Sequence, residues 1–273
     1  MGNLIRSLKF AIWLYFPNYL AMYARRSNLS AKACLTTLLF AAAQVVFAED
    51  ILVAVASNFS STAEQVAERF ELETGHEVRL AFGSTAHHYA QIVNGAPFDV
   101  FLAADDVRPE LLEASGRAIA GSRFTYAYGR LVLWSNEIGF AKQENITEIG
   151  SYKYLSIANP RVAPYGLAAM EALSNLDLLE LVQDKIVRGE NVTQAFQFVE
   201  TGAAQLGFVS LAQIKNINDE RAGSYWLVDT NLYSPIRQQA VLLSDKQAAK
   251  DFMQYLGSAE VGQMIQRAGY GLE

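Results

Sequence analysis

Short apolar and β-branched runs alternate with stretches of helical period along most of this chain. Strands are expected at residues 51–56, 78–82, 100–103, 131–135, 155–158, 206–210 and 240–244. Between them apolar residues recur at i, i+3, i+4 and i+7. The four sets are Ala63, Val66, Ala67, Phe70; Ala86, Tyr89, Ala90, Val93; Val192, Ala195, Phe196, Val199; and Ala249, Phe252, Met253, Leu256. This alternation predicts an α/β fold with mostly parallel sheets. Helix ends agree: Ser61-Thr62-Ala63-Glu64 reads as a capping box, Pro164 suits a first turn, and Gly75, Gly95, Gly202 and Gly269 read as stops.

Two segments read as crossings between lobes, one near Tyr126-Ala127-Tyr128-Gly129-Arg130 and one near Tyr233-Ser234-Pro235-Ile236. If both cross, residues 49–128 and 235–273 build one lobe and residues 129–234 the other. A ligand then belongs in the cleft between lobes, where the carboxyl ends of open α/β strands meet.

The first 48 residues depart from this pattern. Arg25-Arg26 precedes an apolar run from Ala31 to Phe47 that ends in Val46-Phe47-Ala48, with small residues where a signal peptidase reads. This is the pattern of a secretory signal cleaved after Ala48. Retention as a membrane anchor is the rival reading, disfavoured by Thr36, Thr37 and Gln44 and by the lack of a basic stop after the run. Met1 and Met22 both stand as initiation sites. Of the 22 basic residues five lie in this leader, which has no acid; the other 17 face 28 acidic residues, so the remainder carries a net charge of −11. Such a body repels polyphosphates, which argues against a nucleic-acid partner and makes any anion site a matter of local dipoles. The one cysteine, Cys34, lies in the leader, so residues 49–273 rely on their core and not on disulfides.

Four junctions place small hydroxyls or exposed amides at helix starts: Ser57-Asn58, Gly83-Ser84-Thr85, Ala163-Pro164-Tyr165-Gly166 and Glu190-Asn191-Val192-Thr193. A helix start offers unpaired N–H donors and roughly half a positive charge, so several of them converging make an anion cradle that needs no cation. Each alone is simply a cap, since serine, threonine and asparagine are the usual caps. Recurrence in both proposed lobes favours the functional reading.

A resemblance covers nearly all of residues 49–273. It is carried by Val55-Ala56-Ser57-Asn58-Phe59, Phe82-Gly83-Ser84-Thr85, the run from Gln91 through Asn94-Gly95-Ala96-Pro97-Phe98-Asp99-Val100-Phe101 to Asp105, Tyr128 to Ser135, Ile157-Ala158-Asn159-Pro160, Ala163-Pro164-Tyr165-Gly166, Gly189-Glu190-Asn191-Val192 and Leu206-Gly207-Phe208-Val209. In this order the segments resemble the periplasmic molybdate-binding proteins of ABC importers. The resemblance implies a two-lobed type II periplasmic binding fold whose lobes close over a tetrahedral oxyanion held by hydroxyls and amides. It implies Ser57 as hydroxyl and amide donor with Asn58 beside it, Thr85 as second hydroxyl with Ser84 sharing that role, and the amides of Tyr165 and Val192. At a fifth position, where some members carry tyrosine, this chain has Ser210, so the Tyr165 hydroxyl is a candidate replacement. The partners implied are molybdate, with tungstate beside it, and a membrane ABC permease; the protein would act as a monomer, without cofactor, metal ligand or catalytic residue.

Energetics allow such a site. A buried charged oxygen costs several kcal/mol unless its lone pairs are met, and each hydrogen bond to a charged group returns roughly 1.5–3 kcal/mol. Donor-only amides also disfavour protonated oxyanions, whose O–H would face another donor.

Other candidates read more plainly. His87 and His88 point about 100° apart on a helix and cannot share a metal; both are expected at its surface, and His76 in an exposed turn. Asp105-Asp106 reads as a turn and helix cap, and Arg161 and Arg188 as solvated charges. The matches at Asn58, Asn145 and Asn191 to the glycosylation pattern are read as chance. No nucleophile elbow, phosphate loop, dinucleotide fingerprint or zinc-protease motif is present. The alternatives are a binder of sulfate or phosphate, an extracytoplasmic hydrolase using Ser57 or Ser84, and a sensory domain on the same fold.

Overall fold

The computed structural model describes residues 48–142, 144, 147, 152–217 and 223–272. The expected export signal, apart from Ala48, and the Asn145 match lie outside the described residues.

The first sheet is built from β1 (Asp50–Ala56), β2 (Glu77–Gly83), β3 (Val100–Leu102) and β4 (Phe124–Gly129). A 3-10 turn (Ser57–Phe59) and α1 (Ser60–Thr74) follow β1, α2 (Thr85–Val93) follows β2, and α3 (Val107–Ala114) follows β3. The chain then forms β5 (Leu131–Ser135), β6 (Leu155–Ala158), α4 (Pro164–Asn175), α5 (Leu179–Val182) and β7 (Ile186–Gly189). Next come α6 (Val192–Glu200), β8 (Leu206–Ser210), α7 (Leu211–Lys215) and β9 (Ser224–Leu227). The return consists of β10 (Ile236–Leu242), α8 (Gln247–Leu256) and α9 (Ala259–Arg267).

Strand order is β2-β1-β3-β10-β4 in the first sheet and β7-β6-β8-β5-β9 in the second. In each, three strands pair in parallel and two are added antiparallel. The sheets are therefore mixed, which corrects the expectation of mostly parallel pairing. The antiparallel additions include the strands that carry the chain between lobes. β4 gives way to β5 across Arg130 alone, and the returning β10 lies against β4 with Ile236 opposite Gly129. The two expected crossing segments thus adjoin neighbouring antiparallel strands.

Period-two burial explains the first sheet. Val53 and Val55 face a core with Phe59, Phe70 and Phe252, while Ala54 faces a second with Phe101 and Leu112. Each fully buried phenylalanine contributes roughly 1.5–3 kcal/mol. The second sheet packs Trp134 face to face on Phe196, with ring centroids 4.6 Å apart. Among the described residues no helix is long and apolar enough to cross a membrane.

Helix α1 begins at Ser60 directly on the 3-10 turn, where the Ser60 amide already donates to the Ser57 carbonyl. The expected capping box at Ser61 is therefore absent. Pro164 does open α4, and Gly75, Gly95, Gly202 and Gly269 all adopt positive φ at helix ends.

Candidate anion-binding site

The four junctions converge. Ser57 opens the turn after β1, Ser84 precedes α2 and Thr85 opens it, Pro164 and Tyr165 open α4, and Asn191 and Val192 meet at the start of α6. With Asn58, Gly83 and Ala104 among their neighbours, they line one gap between the sheets. The cavity between them is small, about 10 Å³. Thr193 Oγ1 donates to the Ser57 carbonyl at 3.1 Å, and the Ala86 amide to the Val162 carbonyl at 3.1 Å, so the lobes touch at the rim of the gap.

The lining has no charged side chain, histidine included. What it offers is donors. Thr85 and Val192 occupy the first position of a helix and Tyr165 the second, where amides have no acceptor within the helix and the dipole is positive. Thr85 Oγ1 accepts from the Ala104 amide at 3.1 Å, which orients the hydroxyl and leaves its proton to donate.

Only Asn191 spends its side chain as a cap, its Oδ1 accepting from the Gln194 amide at 3.0 Å. Ser84 is the residue before α2 and makes no such bond. It is 3% exposed, and its hydroxyl has no hydrogen-bond partner among the described residues. Leaving a buried polar group unpaired costs about 1–3 kcal/mol, which is tolerated where a ligand completes the bond.

Residues 51–271 match the family described as bacterial extracellular solute-binding protein. The chain belongs to that family. This solute-binding protein is 48% identical over 230 residues to the molybdate-binding protein ModA of Azotobacter vinelandii, covering 83% of this chain and 91% of that one. It is 38% identical over 249 residues to the ModA of Rhodobacter capsulatus, covering 90% and 98%. The solved structure of the Azotobacter vinelandii periplasmic molybdate-binding protein superposes with a TM-score of 0.78 at 43% identity, over 82% of this chain and 99% of that one. The solute-binding protein is a transport component and not an enzyme.

The predicted residues divide. Ser57, Asn58, Ser84, Thr85, Tyr165 and Val192 all border the gap of this solute-binding protein, whereas Ser210 is outside its lining. Ser210 is fully buried and forms a capping box with Gln213 at the start of α7. The Asn58 carboxamide turns away, donating to Gln238 Oε1 at 2.9 Å. The Tyr165 hydroxyl accepts from Gln238 Nε2 at 3.4 Å, and burial, with Tyr270 nearby, holds this phenol well above its ordinary pKa.

Two histidine expectations are overturned. His87 is exposed, but His88 is buried beneath Gly83, its Nε2 3.2 Å from the Val55 carbonyl and its Nδ1 3.1 Å from Gln91 Oε1. A Cβ on Gly83 would stand 2.8 Å from that ring, so glycine there lets His88 floor the Ser84 corner. Burial lowers the His88 pKa, against smaller raising effects of its bonds to Gln91 and Val55. His76 is buried as well, accepting from the Glu49 amide at 3.1 Å and stacked on Phe70. Both polar rings are accepted in apolar surroundings because polar partners, one near in sequence (Gln91) and others remote (Val55, Glu49), meet their nitrogens. Asp105 accepts from the Arg108 amide at 3.0 Å at the start of α3, and Arg161 and Arg188 are exposed. Gln238 was not signalled by the sequence, since a single polar residue in a strand carries no motif; Thr193 stood in the fourth junction but its bond to the Ser57 carbonyl was not expected.

Proposed function

We propose that this protein captures molybdate in the periplasm, after export by a cleaved leader, and presents it as a monomer to a membrane ABC permease. Tungstate, of the same charge and tetrahedral shape, is taken by the same site. The observation that carries the reading is the gap itself, where both lobes turn neutral donors inward and the buried Ser84 hydroxyl lacks a partner. The identities to the two ModA proteins support the choice of anion. Ser57, Ser84 and Thr85 donate hydroxyl protons, Tyr165 and Val192 donate amides, and the absence of any base in the lining suits capture without chemistry. The backbone amides among these donors cannot accept, which favours a fully deprotonated guest.

Titration calorimetry with molybdate, tungstate and sulfate tests the reading. Tight molybdate binding is expected to survive excess sulfate. Ser57→Ala combined with Thr85→Ala removes two hydrogen bonds to a charged group, an expected loss of about 3–6 kcal/mol, or at least a hundredfold in affinity. Equal affinity in the double variant defeats the site assignment, and displacement by sulfate defeats the choice of anion.

A further inference from the structure

Behind the gap, against the two crossing strands, a second polar cluster is buried. Gln238 on β10 is 0% exposed. Its Oε1 accepts from Asn58 Nδ2 at 2.9 Å and from the Tyr126 hydroxyl at 3.1 Å, both in the first lobe. Its Nε2 donates to the Tyr165 hydroxyl at 3.4 Å, on α4 of the second lobe. Tyr270 fixes the near side, its hydroxyl donating to the Asn58 carbonyl at 2.7 Å.

Two independent features surround the cross-lobe contact. A Cβ on Gly129 would come within 2.5 Å of the Tyr165 hydroxyl, so only glycine at this end of β4 lets the ring settle on the crossing. The pairing of β10 with β4 slips between Gln238 and Gln239, and such a bulge re-aims the side chains beside it. Gln238 itself is outside the lining of the gap. Asn58 follows Ser57 and Tyr165 follows Pro164, so one carboxamide is tied to a helix start in each lobe.

We infer that Gln238 is the latch of the cleft: a positioning residue that grips Tyr165 when the lobes are together and sets how long the closed cleft lasts. Its effect falls on release more than on capture, because encounter with the anion precedes the latch contact whereas escape requires breaking it. The molybdate reading enters only as the choice of ligand.

Residues 49–273 contain no cysteine, so spin labels at Leu72→Cys and Leu181→Cys, both exposed, report the distance between lobes. Tyr165→Phe removes the far acceptor while keeping the Tyr165 amide and both first-lobe bonds of Gln238. Molybdate is expected to dissociate about threefold to tenfold faster from it, with an unchanged association rate and a smaller closed fraction. Gly129→Ala wedges the ring away and shifts the closed fraction further in the same direction. Adding Gln238→Met to Tyr165→Phe brings little further change in dissociation, whereas a purely structural glutamine would give additive losses. Wild-type dissociation and closed fractions in both Tyr165→Phe and Gly129→Ala overturn the latch. If the unaltered protein fails to bind molybdate, the molybdate reading falls, and the label distances without anion still decide: equal closed fractions in unaltered and Tyr165→Phe protein overturn the latch, and a smaller fraction in the variant upholds it.

Discussion

Helices α2 and α7 begin alike and do different things. Each follows a strand, each is preceded by a serine in extended conformation, and those serines, Ser84 and Ser210, are 3% and 0% exposed. At α7 the hydroxyl is used up: Ser210 Oγ accepts from the Gln213 amide at 3.3 Å, and the Gln213 side chain accepts in return from the Ser210 amide at 3.1 Å. At α2 the residue three positions on is His87, which is exposed and makes no such return, and Ser84 Oγ has no partner. A serine before a helix is therefore not a ligand by virtue of its place. What sets Ser84 apart, and supports its proposed role, is that the helix declines its hydroxyl and the fold buries it at a gap.

The difference is broken most directly by deleting each hydroxyl. Ser84→Ala should lower molybdate affinity by about ten- to a hundredfold, the value of one hydrogen bond to a charged group, while leaving the unfolding midpoint unchanged or slightly raised. Ser210→Ala should do the reverse, costing about 1 kcal/mol of stability as a lost cap and leaving affinity intact. Calorimetry and urea unfolding of the two variants decide it, and matching behaviour in both assays would erase the distinction between the two starts.

Much of this was legible in the letters. Period-two and period-3.6 patterns located the central strands and most long helices, because one-sided burial against a core imposes those periods. Edge strands β7 and β9 escaped notice: they are four residues each, and their burial is only partial. The antiparallel additions escaped because pairing direction depends on where a crossing strand returns, a nonlocal matter. Around the site, hydroxyl-bearing helix starts were visible as motifs, but which hydroxyl was spent was not, except through the glutamine or histidine three residues on. His88 was misread as exposed, since its buried acceptor, the Val55 carbonyl, lies 33 residues away.

That histidine sharpens the comparison in a second way, through pH. Burial holds its pKa below the ordinary value, so the unfolded chain binds its proton more readily than the folded one. The sign follows: the His88 contribution to stability is complete above about pH 6.5 and is lost as pH falls through the lower, folded pKa, by at most about 1.4 kcal/mol per pH unit. Because His88 lies under Gly83, the protection factors of amides in the first turn of α2, with the intrinsic pH dependence of exchange divided out, should fall on acidification while those of α7 do not. His88→Gln should flatten the acid limb of the urea midpoint, and an unaltered limb in that variant would assign the loss to other groups.

The smallest change asks whether α2 can be converted to the α7 arrangement. His87→Gln supplies at the third helical position the residue that Gln213 supplies at α7, on an exposed site where the replacement meets no packing cost. Glutamine there can accept from the Ser84 amide and draw the hydroxyl toward the position-three amide, as in a capping box. Stability should rise by a few tenths of a kcal/mol to about 1 kcal/mol. Molybdate affinity should fall two- to fivefold, since a hydroxyl with an internal partner must break that bond to serve the ligand. The opposed directions are what matter: a neutral surface substitution moves neither quantity, and a general stabilisation of the closed form raises both. Only competition between cap and ligand for one hydroxyl makes the protein firmer and its grip weaker together.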